Sequence, residues 1–406
     1  MKLRISNIFI LSLLLISKLY AGGFQLNEHG ARAMGLGGAF TAIADDPSAI
    51  YFNGAGLIQS SGWNFMIGSA FIAPNSSFRG VYPAVTEYNT VEQTFIVPSI
   101  YASFKINDYW AIGIGFNVPF GLGTEWPGDW PGKYLAIKTE LKAYTITPTV
   151  AWKMEEISVS FGFVYSFANV SITQKSPQTP FAGDAFTTLN GKDNHAFGLN
   201  VGFMYKPLND LSLGLSIRSG IDYKFEGTSV TTGASQLASQ LPNGNISAEL
   251  TTPFNLTFGV AYDLLPEIKL SADFEYVGWS SYDTLAINFE NNSFPRVASP
   301  RLYNDSYIVR FGTEYKISHG IAFQGGIYFD KNPVKTEWLN PSLPDADRLG
   351  FSLGINYKIT NELTAAASYL FIRSSQLTVT NSNEMGFNGT YNSFANLGSL
   401  SLSYGL

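Results

Sequence analysis

The chain has 406 residues, a net charge of −6 and no cysteine. Charged residues make up only 14% of it and aromatic residues 15%, whereas soluble domains have a charged share of about 25%. This composition argues against a soluble α/β enzyme, and the lack of a basic cluster excludes nucleic acid as a partner. Few charges and many aromatic residues are typical of a β-barrel in an outer membrane.

The first 21 residues have the pattern of a secretory signal peptide. Lys2 and Arg4 precede the apolar run 8–16, and the small residue Ala21 ends the segment. The run is too short to span a bilayer as a helix, so we expect residues 1–21 to direct export. No later stretch approaches 18 consecutive apolar residues, which excludes a helical membrane protein.

Residues 22–61 have neither a period of two nor one of 3.6 residues. They are apolar and rich in glycine and small residues, as in "ADDPSAIYFNGAGL", residues 44–57. Such a segment needs a place away from water in which to fold. The lumen of a barrel with fourteen strands is wider than its own side chains can fill. We therefore predict that residues 22–61 form a plug in the lumen, with a tail beneath the barrel as the alternative.

Strict alternation of large apolar with small or polar residues begins near residue 62 and continues to the C-terminus. Each alternating stretch is long enough to cross a bilayer as a tilted strand, which needs about 9–11 residues. Soluble sandwiches use strands of about 5–6 residues, so we expect the bulky faces to contact lipid. Fourteen strands are predicted, near residues 62–74, 94–106, 109–121, 141–154, 156–172, 194–206, 210–225, 249–263, 266–290, 302–317, 320–332, 347–359, 362–380 and 392–406.

The predicted connections alternate between short turns and long loops. The long loops lie near 75–93, 122–140, 173–193, 226–248, 291–301, 333–346 and 381–391. Both termini then lie on the side of the short turns, which is the periplasmic side. The sequence thus predicts an all-β protein: a 14-stranded antiparallel transmembrane β-barrel over residues 62–406, with an N-terminal plug, or hatch, in its lumen.

The plug sequence "GGFQLNEHGARAMGLGGAFTAIADDPSAIYFNGAGL" resembles the N-terminal hatch of the FadL family (FadL/TodX type) of outer-membrane transporters for long-chain fatty acids and other hydrophobic compounds. The resemblance continues in order through "PFGLGTEWPGDWPGKYLAIKTEL", "LSLGLSIRSGIDYKFEG", "DFEYVGWSSYD" and "LPDADRLGFSLGINYKI". It points to five hatch residues: Asp45, Asp46, Asn53, Gly54 and Ala55. Gly54 replaces the proline that is usual in the family, and glycine permits backbone angles that proline forbids.

The resemblance implies a route in which a ligand is captured at an extracellular apolar groove, passes to a pocket in the lumen and leaves sideways through the wall. Apolar side chains in the predicted loop 122–140 suit the groove, because so much apolar surface is unusual on an extracellular loop. They are Leu122, Trp126, Trp130, Tyr134, Leu135 and Ile137. The alternative is that they only pack the loops over the mouth of the barrel.

Prolines in the second and third strands predict where a lateral opening would form. The register set by the turn at 107–108 places Pro98 nearly opposite Val118, and proline lacks the N–H for a ladder bond. Two prolines this close favour a bulge or opening, and in the family the third strand is kinked to form one. The alternative is a harmless bulge near the rim. The inward face of that strand carries the other candidate residues: Gly113, Gly115, Asn117 and Pro119.

Inward parity places basic and acidic side chains together in the lumen. The acidic ones are Asp222, Asp273, Glu275 and Glu314, and Lys224 is a further basic one. The candidates to bind a substrate carboxylate through charge-assisted hydrogen bonds are Arg218, Arg310 and Arg348. The alternative is that these cations only pair with the lumen acids and the plug.

The predicted function is passive uptake of hydrophobic small molecules, above all long-chain fatty acids, by a monomer without a cofactor. Aromatic hydrocarbons are the alternative substrates, and a general porin is disfavoured by the plug. A hydrolase would need a Ser–His pair, and only His195 is placed for one. Other expected partners are outer-membrane lipid, lipopolysaccharide and the barrel-assembly machinery. No metal is expected at the rim acids Asp330, Asp345 and Asp347.

Overall fold

The structure is a computed structural model that describes residues 22–177, 183–233, 243–290, 296–317 and 320–406. The predicted signal peptide, residues 1–21, and the predicted turn at 318–319 lie outside the described residues. Within the described ranges, none of the helices has the length and apolar character that crossing a membrane requires.

The described residues form one sheet of twenty β-segments. The first ten are β1 (Trp63–Gly80), β2 (Glu87–Asn89), β3 (Phe95–Lys105), β4 (Trp110–Glu125), β5 (Lys138–Met154), β6 (Ile157–Pro177), β7 (Asp184–Leu208), β8 (Leu211–Arg218), β9 (Asp222–Thr232) and β10 (Gly244–Thr251). The others are β11 (Asn255–Leu265), β12 (Ile268–Val277), β13 (Thr284–Phe289), β14 (Val297–Pro300), β15 (Ser306–Ile317), β16 (Ile321–Asp330), β17 (Arg348–Lys358), β18 (Leu363–Ser374), β19 (Leu377–Val379) and β20 (Gly389–Gly405).

These segments make a closed antiparallel barrel of fourteen strands in the described part of the chain, as predicted. Five strands consist of two segments separated by a short break, and β2 is an extra segment beside β1. The divided strands are β8/β9, β10/β11, β12/β13, β14/β15 and β18/β19. β1 pairs with β3 on one side and with β20 on the other, which closes the ring. Closure satisfies the backbone polar groups, as a wall in lipid requires.

The bulky faces of the strands point outward, because the lumen side is occupied. In β5, Trp152 is exposed whereas the neighbouring Ala151 is fully buried. Trp152 lies beside Trp110 near the periplasmic turns, and Tyr144 stacks on Phe167 further along the strand. From Tyr144 to Trp152 the strand spans about 27 Å, or about 21 Å across the membrane at a typical tilt of about 40°. Aromatic side chains thus mark both edges of the apolar band.

The wall continues as strand well beyond the apolar band on the extracellular side. β6 ends only at Pro177 and β7 begins at Asp184, while β9 and β10 reach Thr232 and Gly244. The long loops predicted at 173–193 and 226–248 are therefore largely strand. The prediction was wrong there because the outer face above the lipid is polar, so the contrast between the two faces disappears.

A break between β8 and β9 changes which residues face the lumen. Arg218 at the end of β8 is turned inward, but in β9 Tyr223 and Phe225 are buried whereas Asp222 and Lys224 are exposed on the outer face. The prediction that Asp222 and Lys224 lie in the lumen is therefore wrong. The prediction assumes one uninterrupted period of two, whereas the break between β8 and β9 shifts by one residue which side chains face the lumen.

Residues 22–61 are mostly buried and pack against wall residues that point away from the lipid. They contain two short helices, α1 (Ala31–Gly35) and α2 (Ala49–Phe52), and a 3₁₀-helix, Gly54–Gln59. Helices this short are not stable alone. Their side chains join lumen-facing wall residues such as Tyr101 and Met204 in one buried apolar cluster, so contact with the wall determines their conformation.

Candidate functional site

Glycines in the wall let the hatch, residues 22–61, approach it backbone to backbone. A side chain at Gly214 would collide with Thr41, and one at Gly326 would collide with Gly37. This close approach explains the many small residues that alternate with bulky ones in the wall.

Polar contacts attach the body of the hatch to strands β12 and β15 of the wall. Arg32 donates to both carboxylate oxygens of Glu314, at 2.7 and 2.9 Å, and to Asp45 at 2.5 Å. Asp273 accepts hydrogen bonds from the backbone N–H groups of residues 40 and 41, at 3.1 and 3.0 Å. Asp46 accepts from the backbone N–H of Ser48 at 2.9 Å. Asp45 and Asp46 therefore act within the hatch fold.

Asn53 and Gly54 hold the 3₁₀-helix of the hatch against the wall. The Asn53 amide donates to the carbonyls of Thr41, at 2.9 Å, and of Phe203 in β7, at 3.0 Å, and its oxygen accepts from the Ala55 N–H at 3.2 Å. A Cβ at Gly54 would lie 2.8 Å from the Ser160 hydroxyl. Its backbone is outside the region that favours glycine, so close packing is the reason for a glycine here.

The wall has a gap between β3 and β4. Their ladder runs only from the pair Ile100–Phe116 to the periplasmic turn, although β3 continues upward beside β1 and β4 continues beside β5. Extending that register places Pro98 opposite Val118, inside the gap. Val118 and Pro119 also form a bulge opposite Tyr144 alone, which bends β4 away from β3.

The N-terminal residues of the hatch take the place of β3 along this part of β4. Gln25 forms a bridge with Phe120. The Leu26 N–H donates to the Pro119 carbonyl at 2.9 Å, and the Gly121 N–H donates to the Phe24 carbonyl at 3.0 Å. The backbone groups that β4 would otherwise offer to β3 are therefore paired inside the lumen.

The predicted residues of the opening divide into two groups. Pro98 and Pro119 border the gap. Asn117 lies at its lower edge, where its side chain bonds with Tyr101, at 3.4 Å, and Thr145. Gly113 and Gly115 instead belong to the paired part of the wall, facing Ser103 and Tyr101 across the ladder. A Cβ on either glycine would lie within 2.9 Å of Ile50 in the hatch, so both glycines accommodate the hatch and do not line the gap.

Two apolar cavities lie above the body of the hatch. The inner cavity, of about 220 Å³, borders the gap and is lined by Leu26, Phe95, Val97 and Val118. The outer cavity, of about 350 Å³, lies between the extracellular ends of the strands and is lined by Tyr134, Leu135, Ile172 and Phe225. The apolar side chains that border both cavities, and so form the partition between them, are Phe24, Leu122, Leu141 and Leu343.

The six residues predicted for the extracellular apolar groove fall into two groups. Leu122, Tyr134 and Leu135 line the outer cavity, whereas Trp126, Trp130 and Ile137 are buried. The two tryptophan rings stack 4.2 Å apart. Their indole N–H groups donate to the carbonyls of residues 341 and 136, at 2.9 and 2.8 Å. These tryptophans pack the extracellular loops together and offer no surface to a ligand.

Among the three candidate arginines, Arg348 lines the inner cavity. Arg218 and Arg310 both pair with the buried Glu275, at 3.0 and 2.7 Å. Arg348 donates to Asp345 at 2.9 Å and to the Gly23 carbonyl at 2.7 Å.

The Gly23 N–H also donates to Asp345. Burial raises the pKa of the Asp345 carboxyl, and the neighbouring Arg348 opposes that shift. Arg348 and Asp345 therefore hold the first described residues of the hatch at the wall of the inner cavity.

The sequence profile described as "Outer membrane protein transport protein (OMPP1/FadL/TodX)" matches residues 12–405. The chain belongs to this family. The family consists of transport channels and not enzymes, and its members lie in the bacterial outer membrane. The protein is thus an outer-membrane transporter of hydrophobic compounds.

Curated relatives and solved structures agree with this assignment. Outer membrane protein P1 of Haemophilus influenzae is 25% identical, with 95% of each chain covered. A long-chain fatty acid transport protein of Escherichia coli is 25% identical, with 88% of each covered. The fold matches a Pseudomonas aeruginosa FadL homologue with a TM-score of 0.85 at 20% identity, over 95% of this chain and 100% of the other. It also matches the P. putida toluene transporter TodX, with a TM-score of 0.76 at 16% identity, over 94% and 99%.

Sequence reasoning missed several residues of the site. The sequence does not distinguish Phe24, Leu141 and Leu343 of the partition, because an apolar side chain in a strand or loop has no distinctive sequence signal. The sequence indicates Asp345 only as one of three rim acids. Among the residues that the structure describes, no group of His, Asp and Glu side chains is arranged to hold a metal ion.

Proposed function

We propose that the protein takes up long-chain fatty acids. The observation that carries this proposal is a guanidinium, that of Arg348, at the wall of a mainly apolar cavity whose opening is bordered by a second cation, Lys142. A charge-assisted hydrogen bond to a carboxylate suits a fatty acid, and an aromatic hydrocarbon has no group to use it. Relatives named long-chain fatty acid transport proteins support the same substrate class.

The two cavities and the gap supply the steps of the route. A fatty acid enters the outer cavity, passes the partition around Phe24 and extends its chain into the inner cavity. Its carboxylate then competes with the Gly23 carbonyl and Asp345 for Arg348. Release of Gly23 frees the hatch strand that pairs with β4, because a ligand shifts a protein toward the state that it binds better. The gap between β3 and β4 gives the acyl chain lateral access to the membrane.

Substrate class is tested by uptake into cells of a Gram-negative host that lacks its own channel for hydrophobic compounds. Cells that express the protein should take up labelled oleate faster than cells with an empty vector, and toluene at nearly the same rate as those cells. Acceleration of toluene alone would assign the protein to aromatic hydrocarbons and refute the proposal.

Lateral release is tested by removing the bulge in β4. Deletion of Pro119 leaves one residue opposite Tyr144 and should let β4 continue along β3, so oleate uptake should fall to the background rate. The matched control is deletion of His195, because Asn194 and His195 form a similar bulge in β7, opposite Phe167 and away from the gap. Unchanged oleate uptake by a correctly inserted Pro119 deletion would refute lateral release, whatever the substrate.

A further inference from the structure

The outer face of the barrel carries a polar groove directly above the aromatic side chains Tyr144 and Phe167. The groove has a volume of about 560 Å³ and crosses β5, β6, β7 and β9. Part of it, at residues 190–192 and 226–228, falls where loops are predicted, whereas Lys142, Asn169 and Ser171 lie in predicted strands. Lys142 and Tyr144 also border the inner cavity, but the transport route uses neither side chain.

Two rows of cross-strand neighbours form this polar groove. The lower row is Lys142, Asn169, Lys192 and Glu226, and each member is paired with the next across the sheet. The upper row is Glu140, Ser171, Asn190 and Thr228, paired in the same way.

Both rows face the exterior of the barrel. Along β5, Lys142 has the same parity as the lipid-facing Tyr144 and Trp152, and no bulge intervenes. In β7 the bulge at Asn194 and His195 shifts the parity by one, which turns Lys192 outward above the membrane. Lys142, Asn169, Lys192 and Glu226 are all exposed. The polar groove therefore faces the head groups of the outer leaflet and not the lumen.

We propose that this polar groove binds the phosphorylated disaccharide head group of lipopolysaccharide. Lys142 and Lys192 are two strands apart, so about 10 Å separates their backbones, and both can reach phosphates of a single sugar-phosphate head group. Lys142 is paired with Glu140, whereas the Lys192 ammonium has no ion pair with a described residue. The lysines bind phosphate, as ammonium groups do in other proteins.

The remaining groove residues suit the sugars. Asn169 and Asn190 both donate and accept hydrogen bonds, and Ser171 and Thr228 add hydroxyls. Such groups match the hydroxyls and amides of a phosphorylated amino sugar. A glycerophospholipid offers far fewer such groups, and a hydrocarbon ligand offers none. Tyr144 just below the groove marks the depth at which the acyl chains begin, which orients the head group upward.

The test measures binding of purified lipid A to the purified full-length protein in detergent by native mass spectrometry. We expect Lys142→Gln with Lys192→Gln to weaken lipid A binding about tenfold, because the double substitution removes both cations that contact the phosphates. Lys192→Gln alone should have part of this effect. That variant is informative because Lys142 also borders the opening of the inner cavity.

The matched control is Lys316→Gln with Lys358→Gln, two exposed lysines at the periplasmic ends of β15 and β17. It should bind lipid A as the parent protein does. Lipid A without its phosphates should bind the parent protein as weakly as lipid A binds the groove variant. Equal affinity of parent and groove variant, or equal binding of phosphatidylglycerol and lipid A to the parent, would overturn the proposal. Heat-modified migration on gels checks that each variant is folded.

Discussion

Replacing Arg348 tests the assignment of the substrate head group. The single substitution Arg348→Gln would leave Asp345 buried without its cation, and the side chain of Asp345 is only 3% exposed. The informative variant is therefore Arg348→Gln with Asp345→Asn, which removes both charges at once and leaves amides that can still bond with Gly23.

The expected loss follows from the contact that is removed. A hydrogen bond to a charged group contributes about 1.5–3 kcal/mol, which corresponds to about a 10- to 150-fold higher Kd for oleate. Oleyl alcohol has the same chain without the charge, so its Kd should change by less than about threefold. Both values can be measured by calorimetry with the purified protein in detergent.

The control replaces a buried cation that does not border either apolar cavity. Arg310→Gln removes a lumen cation 2.7 Å from Glu275, which keeps its ion pair with Arg218, and it should leave the ratio of the oleate and alcohol Kd values unchanged. The reasoning is refuted if the variant at Arg348 and Asp345 loses affinity for the alcohol as much as for oleate. That result would mean that the two substitutions damage the cavity and not a head-group contact.

Three further substitutions test the attachment of the hatch and the extracellular loops. Asn53→Ala removes the donor to the buried Thr41 carbonyl and to the partly buried Phe203 carbonyl and should destabilise the docked hatch by about 1–3 kcal/mol, measured as faster cleavage of the hatch by protease. Gly54→Val should collide with Ser160 and displace the hatch, measured as increased ion conductance in planar bilayers. Trp130→Phe loses the hydrogen bond to Ala136 and should lower the Tm by a few degrees, with an unchanged Kd for oleate.

The barrel could be predicted from the sequence because lipid and lumen impose opposite requirements on alternate residues. That contrast gives a period of two in the membrane-spanning strands, and the fourteen-stranded barrel predicted from it is confirmed. It fails where the two environments stop differing, as in the extracellular parts of β6 and β7. It also fails where a break shifts the parity, as at residues 219–221 between Arg218 and Asp222.

Features of the site could be predicted where their cause is local. A proline lacks its N–H in any fold, so Pro98 and Pro119 indicate a weak point of the wall from the sequence alone. From the sequence alone Gly113 and Gly115 group with these prolines, because a glycine in a strand fits two interpretations. It can weaken the wall, or it can make room for a closely packed neighbour. The neighbour here, Ile50, is more than 60 residues away in sequence, and only the folded hatch brings it to these glycines.

In the proposed route, the hatch strand at residues 23–26 connects ligand binding to the gap by an exchange of contacts. Detaching it from β4 breaks two backbone hydrogen bonds, those of Pro119 and Gly121, at about 0.5–1.5 kcal/mol each. A carboxylate bound to Arg348 in place of the Gly23 carbonyl contributes about 1.5–3 kcal/mol. Gln25 also bonds with Glu275 and Asn255, and Phe24 is buried. The proposed displacement therefore requires the burial of the acyl chain in the inner cavity in addition to the head-group contact. The bonds from Arg32, Asp273 and Asn53 hold the rest of the hatch in place, so the exchange is confined to the segment beside the gap.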